Sequence, residues 1–278
     1  MGSIIEQVSA QIIDAIDNDK LRLPTLPEVA LKVRDVAENP NSDLNSLAAE
    51  IGNDAAITAR VIKVANSPLL RGSNEIQDLK MALSRLGMEY TANLATGLAM
   101  EQMFQATTDI VDKRLREVWT RSSEIAGICH VLCKHRTHLK PDKATLAGLV
   151  HPIGILPILT FAEEHRTLLN DSLTLDQIIE QLHPMIGDKI LQKWEFPLEL
   201  QHVPSQHLQF ERTAPEADYA DIVTVAMLQS YMGSNNVMAE VDYQQVTAFK
   251  RLGLEVDADA EAEDVSEEME AAMAMLAG

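Results

Sequence analysis

Apolar residues recur every three or four positions along almost the whole chain, and no stretch alternates with a period of two. The pattern predicts an all-α protein. A first helix carries Ile5, Val8, Ile12 and Ile16 on one face. It is broken by LRLPTLP, where Pro24 and Pro27 lack the amide hydrogen that a helix needs. Helix resumes from Glu28 on Val29, Val33 and Val36. Pro40 stops it, and Ser42 or Asp43 is placed to cap the next helix, with Leu44, Leu47 and Ile51 inward. Asp54 opens a helix through Ile57, Val61, Val64 and Ala65, which ends at the Asn66-Ser67-Pro68 turn. Asp78 starts another on Leu79, Ala82, Leu83 and Leu86, and Gly87 is its C-terminal cap.

After a linker near Gln105 to Ile110, a long helix runs through Trp119 and Ile125 to Leu132, and polar LKPDKA closes it. AGLVHPIGIL at 147–156 reads as the next helix, followed by one through Ile178, Ile179 and Leu182, then HPMIGDKILQKWEFP and ADIVTVAMLQSYM. Short helices joined by brief turns imply a compact bundle.

Three strings carry a resemblance: LPTLPEVALKV, then LAAEIGNDAAITARVIKVANSPLL, then EIQDLKMALSRLG. Their paired prolines, Ile-x-x-Asp, Ala-Asn-Ser and Ala-x-x-x-Leu-Gly, in that order, resemble the opening of the HDOD domain, the HD-related output domain of bacterial signalling proteins. The likeness runs from about Leu21 to about Met232, with Ala55 where the family usually has Pro after Asp54. It implies a helical part at 21–108 packed on an HD-like helical part at 109–235. An N-terminal helix at 1–20 precedes them, and an extension at 236–278 follows, with an acidic linker and a short amphipathic helix.

AGLVHPIGIL is in turn similar to the ALLHDIGK stretch of the HD phosphohydrolases, with Leu149, Gly154 and Leu156 in place. In those enzymes an adjacent His and Asp help to hold one or two divalent metals, which acidify a bound water into the nucleophile. Here His151 is followed by Pro152, which cannot ligate. The likeness also places Arg121, a permanent cation, at the first histidine of such a site, and Met227 at its last aspartate. Asp221 stands well over a turn earlier. What remains is His151, His183 and His207, the last at the distance from Pro197 where related hydrolases carry paired histidines.

The expectation is therefore a non-catalytic signalling or regulatory module, with no metal and no cofactor. It would retain a vestigial cleft near Arg121, His151, His183, His207 and Asp221, and act on a protein signalling partner or a small anionic ligand held by arginine. The alternative is a metal-dependent phosphohydrolase of HD type with a His-only site. Asn66 and Ser67 read as a capping or contact motif at a helix end, with a ligand role for Asn66 as the lesser alternative. No nucleophile elbow, phosphate-cradling loop or zinc-peptidase motif is present.

Composition adds limits. The 278 residues are 46% hydrophobic, ample for a core, and the formal charge of -19 argues against nucleic acid as a partner. About half of that excess lies in Glu255, Asp257, Asp259, Glu261, Glu263, Asp264, Glu267, Glu268 and Glu270, which read as a solvated tail. Within it, Asp264 and Glu267 suggest a capping box before Val265, Met269, Ala272, Met273 and Leu276, a stripe that either packs back on the domain or docks in a partner groove. Cys129 and Cys133 share a helix face and read as reduced core thiols. No apolar run is expected to reach the roughly 20 residues of a bilayer span, and the N-terminus has the pattern of neither a signal peptide nor a myristoylation site. Together these point to the cytoplasm and no membrane.

Overall fold

A computed structural model describes residues 2–18, 20–234, 236–254 and 262–276, apart from the side chains of 2, 3 and 262–266. Among the described residues there are helices, 3-10 turns and loops, and no strand. The first half comprises α1 (Gly2–Asp17), α2 (Glu28–Glu38), α3 (Leu44–Gly52), α4 (Ala55–Ala65), α5 (Leu79–Leu86) and α6 (Met88–Ala99). Asp43 accepts from the Ser46 amide, Asp54 from Ala56 and Ile57, and Asp78 from Met81, so each aspartate satisfies a free donor of a helix start. Gly87, at φ 83, turns the corner between α5 and α6.

The second half is built on α7 (Asp109–Arg136). PDKA does not close α7; it forms the first turn of α8 (Pro141–Val150), as proline at the first helical position allows. AGLVHPIGIL is not one helix either. Pro152 has no amide with which to extend the ladder, so α8 stops at Val150, a turn spans 151–154, and α9 (Ile155–Glu164) begins afresh. Then come α10 (Arg166–Leu169), α11 (Ser172–Lys193), α12 (Leu198–Gln201), α13 (Val203–Gln206) and α14 (Tyr219–Tyr231). 3-10 turns at Val237–Glu240 and Tyr243–Gln245 lead to α15 (Thr247–Arg251) and α16 (Ala262–Leu276).

One hydrophobic core runs through both halves, from Ile12 on α1 to Leu276 on α16. The junction is α6, which packs on α2 on one side and on α8 on the other, while α1 reaches across to α11. Each large apolar side chain buried there contributes about 1.5–3 kcal/mol. Contrary to the reading of the sequence, one segment, Pro141–Glu164, is long and apolar enough by composition to cross a bilayer; most of it is buried within the protein as α8 and α9.

The stripe on α16 packs back on the domain: Ala272 and Leu276 are buried, Met269 and Met273 lie half-buried against the core, and Met275 joins them. Gly127 makes this possible, because a Cβ there would strike the Ala272 carbonyl, so the α16 backbone lies directly on α7. Glu268 meets Lys134 Nζ at 2.6 Å and His135 Nε2 at 2.7 Å, and Arg60 donates to the Leu276 carbonyl at 2.7 Å. Because α16 begins at Ala262, Asp264 lies inside the helix and is not the cap expected of it. Glu255, Asp257, Asp259 and Glu261 lie outside the described residues, as do the side chains of Glu263, Asp264 and Val265. Cys129 and Cys133 are buried free thiols.

Candidate functional site

A cavity of roughly 620 Å³ opens between α7, the 151–154 turn, α9, α11, α14 and the Val237–Glu240 turn. It gathers Arg121, His151, Pro152, His183, His207 and Met227, six positions that are up to 106 residues apart in sequence (121 to 227). The elements meet closely because Gly154 has no side chain: a Cβ there would run into the His183 carbonyl and the Gly187 amide of α11. The ring centroids of His151 and His207 are 5.0 Å apart, and those of His183 and His207 6.2 Å.

Local backbone chemistry fixes each imidazole. His151 Nδ1 lies 2.7 Å from the Gly148 carbonyl, His183 Nδ1 2.8 Å from that of Ile179, and His207 Nδ1 3.0 Å from that of Val203. A carbonyl only accepts, so Nδ1 carries the hydrogen in all three rings and Nε2 carries the lone pair. Pro152 explains the first of these bonds. Its missing amide would have served the Gly148 carbonyl in a continued helix, and the His151 ring supplies the donor instead.

The three rings are buried, which penalises the imidazolium and pushes the pKa of His151 and His183 down to about 4, and that of His207 well below its usual value. The cavity floor is thus uncharged at neutral pH. At the mouth, Arg121 Nη1 donates to Glu124 at 3.0 Å and to the Ser230 carbonyl at 3.2 Å, with its guanidinium 4.9 Å from the Tyr231 ring centre. Arg114 is held by Asp176 and Ser172. The carboxylates that line the cavity, Glu117, Asp176 and Glu180, are exposed at its rim.

Two of the residues singled out from the sequence lie elsewhere, and a third is not on the cleft. Asp221 does not line the cavity. It sits in the first turn of α14, 1% exposed, where it accepts from Arg212 at 2.6 Å and from Arg251 at 2.6 and 2.8 Å. Burial alone would raise its pKa, but the bonds from Arg251 and Arg212 outweigh that and lower it. Sequence reasoning missed Arg212 and Arg251 because the pairing joins α14 to a loop and to α15, a helix too short to show a periodicity. Asn66 and Ser67 are at the C-terminal end of α4, away from the cavity. Asn66 bridges to Ile76 in both directions, at 2.7 and 2.8 Å, and pins the loop that follows. Tyr231, Ser122 and Met238, which also line the cavity, carried no sequence signal.

The donor set does not fit a divalent metal. Among the described residues no three His, Cys, Asp or Glu side chains are placed to hold one. Two imidazoles on one tetrahedral zinc have ring centres about 5 Å apart, a spacing met by His151 and His207 but exceeded by His183. His130 likewise gathers no thiolates; its Nδ1 faces Thr145 and Tyr90 hydroxyls at 3.2 and 3.3 Å.

Residues 23–210 match the model of the HDOD domain. A solved structure from Shewanella amazonensis SB2B, a protein named for a presumed metal-dependent phosphohydrolase activity, is similar over 99% of each chain, with 30% identity and a TM-score of 0.86. An HDOD domain protein of unknown function from Geobacter sulfurreducens has a similar fold, with a TM-score of 0.65 at 18% identity over 99% of each chain. An uncharacterized protein of Treponema pallidum (strain Nichols) is 25% identical over 207 residues, which is 69% of this chain but 38% of that protein. The chain thus spans about two fifths of the length of that curated relative.

Proposed function

The chain belongs to the HDOD domain family, and from that premise we propose that it is a non-catalytic regulatory module whose histidine-lined cleft takes a small ligand or a protein contact instead of a metal. The observation that carries this reading is the joint placement of Arg121, Pro152 and Met227 around one cavity, at three positions where the likeness to HD hydrolases would put ligands. A guanidinium repels a cation, a proline offers no donor, and a thioether is too soft for magnesium or manganese. With no buried carboxylate at the floor, nothing there would activate a water by metal coordination. An anionic group on a ligand would find Arg121 at the mouth, in competition with Glu124.

The competing reading, a phosphohydrolase with a His-only site, draws on the name of the Shewanella protein. Metal analysis of the protein as purified separates the two. The regulatory reading expects well under one equivalent of transition metal and no hydrolysis of nucleotides or cyclic dinucleotides with manganese. It also expects EDTA to move the melting temperature by less than about 1 °C, since a bound structural metal would stabilise far more than that. Stoichiometric metal with turnover overturns it.

A further inference from the structure

The geometry points to the chemistry of the ligand's inner end: the floor of the cavity is built to receive a hydrogen-bond donor, so its ligand is an apolar body carrying an N–H or O–H group that enters first. This inference rests on the reading that the cleft takes a small ligand, and it specifies which end of that ligand faces inward.

The three histidines and Ser122, the polar groups of the floor, have already given their hydrogens away. The Nδ1–H groups of His151, His183 and His207 are committed to carbonyls of their own helices. Ser122, on the α7 wall, donates its hydroxyl hydrogen to the Val118 carbonyl at 2.7 Å. What each presents is a lone pair: Nε2 of the three rings, and the remaining acceptor capacity of Ser122 Oγ. None of the three Nε2 atoms bonds to a described residue, and none is sealed from the cavity. The histidines are neutral at physiological pH, so they do not become donors by charging. The walls between these acceptors are apolar, including Ile125, Ile155, Leu159 and Met227.

An inner end made of carbonyl, carboxylate or phosphate oxygens would set lone pair against lone pair in a dry site, where an unmatched polar group is costly. A donor is matched instead, and the volume suits a molecule of one or two fused rings with a substituent reaching the mouth.

Indole and benzofuran test this directly, because they share a shape and differ in an N–H donor against an ether oxygen. Methyl resonances of Met227 and Ile155 report binding of either probe to the wild-type protein. Indole should bind about fivefold more tightly, the effect of one neutral hydrogen bond. His207→Phe should bring the two within about twofold of each other, and His183→Phe serves if the first variant fails a circular-dichroism check of folding. Benzofuran binding as tightly as indole to the wild type overturns the donor assignment and leaves the ligand-binding cleft standing. If neither probe shifts these methyls up to its solubility limit, the cleft is not a small-ligand site, and the inference falls with the reading beneath it.

Discussion

α14 joins two buried polar sites that follow opposite rules. In its first turn, Asp221 spends both carboxylate oxygens on Arg212 and Arg251, and Asp218 adds a second carboxylate to the same knot through two 2.7 Å bonds to Arg212. Two to three turns along, Met227 and Tyr231 face a floor where three histidines keep a lone pair each. The knot is closed on itself and explains how α15 and the 207–218 loop are fastened to the bundle. The floor is unfinished, and a polar group left unfinished in a dry place is where binding chemistry is stored. Burial does not separate the two sites, since Asp221 and His207 are each 1% exposed. Completion of their hydrogen bonds does.

Acid should break the comparison most strongly. His130, His151 and His183 have folded pKa values near 4, against an ordinary value near 6.5, and burial lowers that of His207 in the same direction. Between those limits the unfolded chain binds more protons than the folded one. The stability is therefore complete above about pH 6.5, falls as pH is lowered toward 4, and levels off below. Each of the three with a value near 4 costs on the order of 2 kcal/mol between pH 7 and pH 5. Together these three are enough to unfold a domain of ordinary stability, and His207 acts in the same direction. Urea titrations at the two pH values read this out, and His183→Phe should flatten the slope. The Asp221 knot resists the same change, because its carboxylate pKa is lowered and it stays ionised. A protein equally stable at pH 7 and pH 5 would show that the floor is not dry.

Asp221→Ala inverts the test. It should cost about 3 kcal/mol by stripping the carboxylate from Arg251, which keeps only the Arg212 carbonyl, and from part of Arg212, and should leave the preference for indole over benzofuran unchanged. Loss of that preference in a folded variant would mean that knot and floor are coupled along α14.

How much of this was legible in the sequence follows from the range of the interactions. The helix starts at Asp43, Asp54 and Asp78 depend on residues two or three positions away, and each was readable. The break at Pro152 was equally local, yet the apolar run around it hid the stop, since a buried helix and a buried turn have the same hydrophobic content. The likeness to HD hydrolases put Arg121, Pro152 and Met227 into relation, and the fold brings them to one cavity. The same likeness left Asp221 well over a turn earlier, and although it was named with the cleft, a register that far out on α14 points its side chain at Arg212 and Arg251 instead. The tautomers of the three histidines were invisible to sequence, since they depend on which carbonyl each ring meets.

The smallest effect is expected at the pair that caps α4, which carries the same contrast in miniature. Asn66 is finished: its amide donates to the Ile76 carbonyl and its oxygen accepts the Ile76 amide. Asn66→Ala should cost about 1–2 kcal/mol, because it strips partners from two buried backbone groups. The neighbouring Ser67 is buried with a hydroxyl that meets no partner among the described residues, and unlike the histidines it does not line the cavity between α7 and α14. A ligand in that cavity does not complete it, so Ser67→Ala should be neutral or stabilise by up to about 1 kcal/mol in a thermal or urea melt. A loss of more than about 1 kcal/mol there would mean that a buried, partnerless polar atom can serve stability alone, and that an open lone pair is no guide to a binding floor.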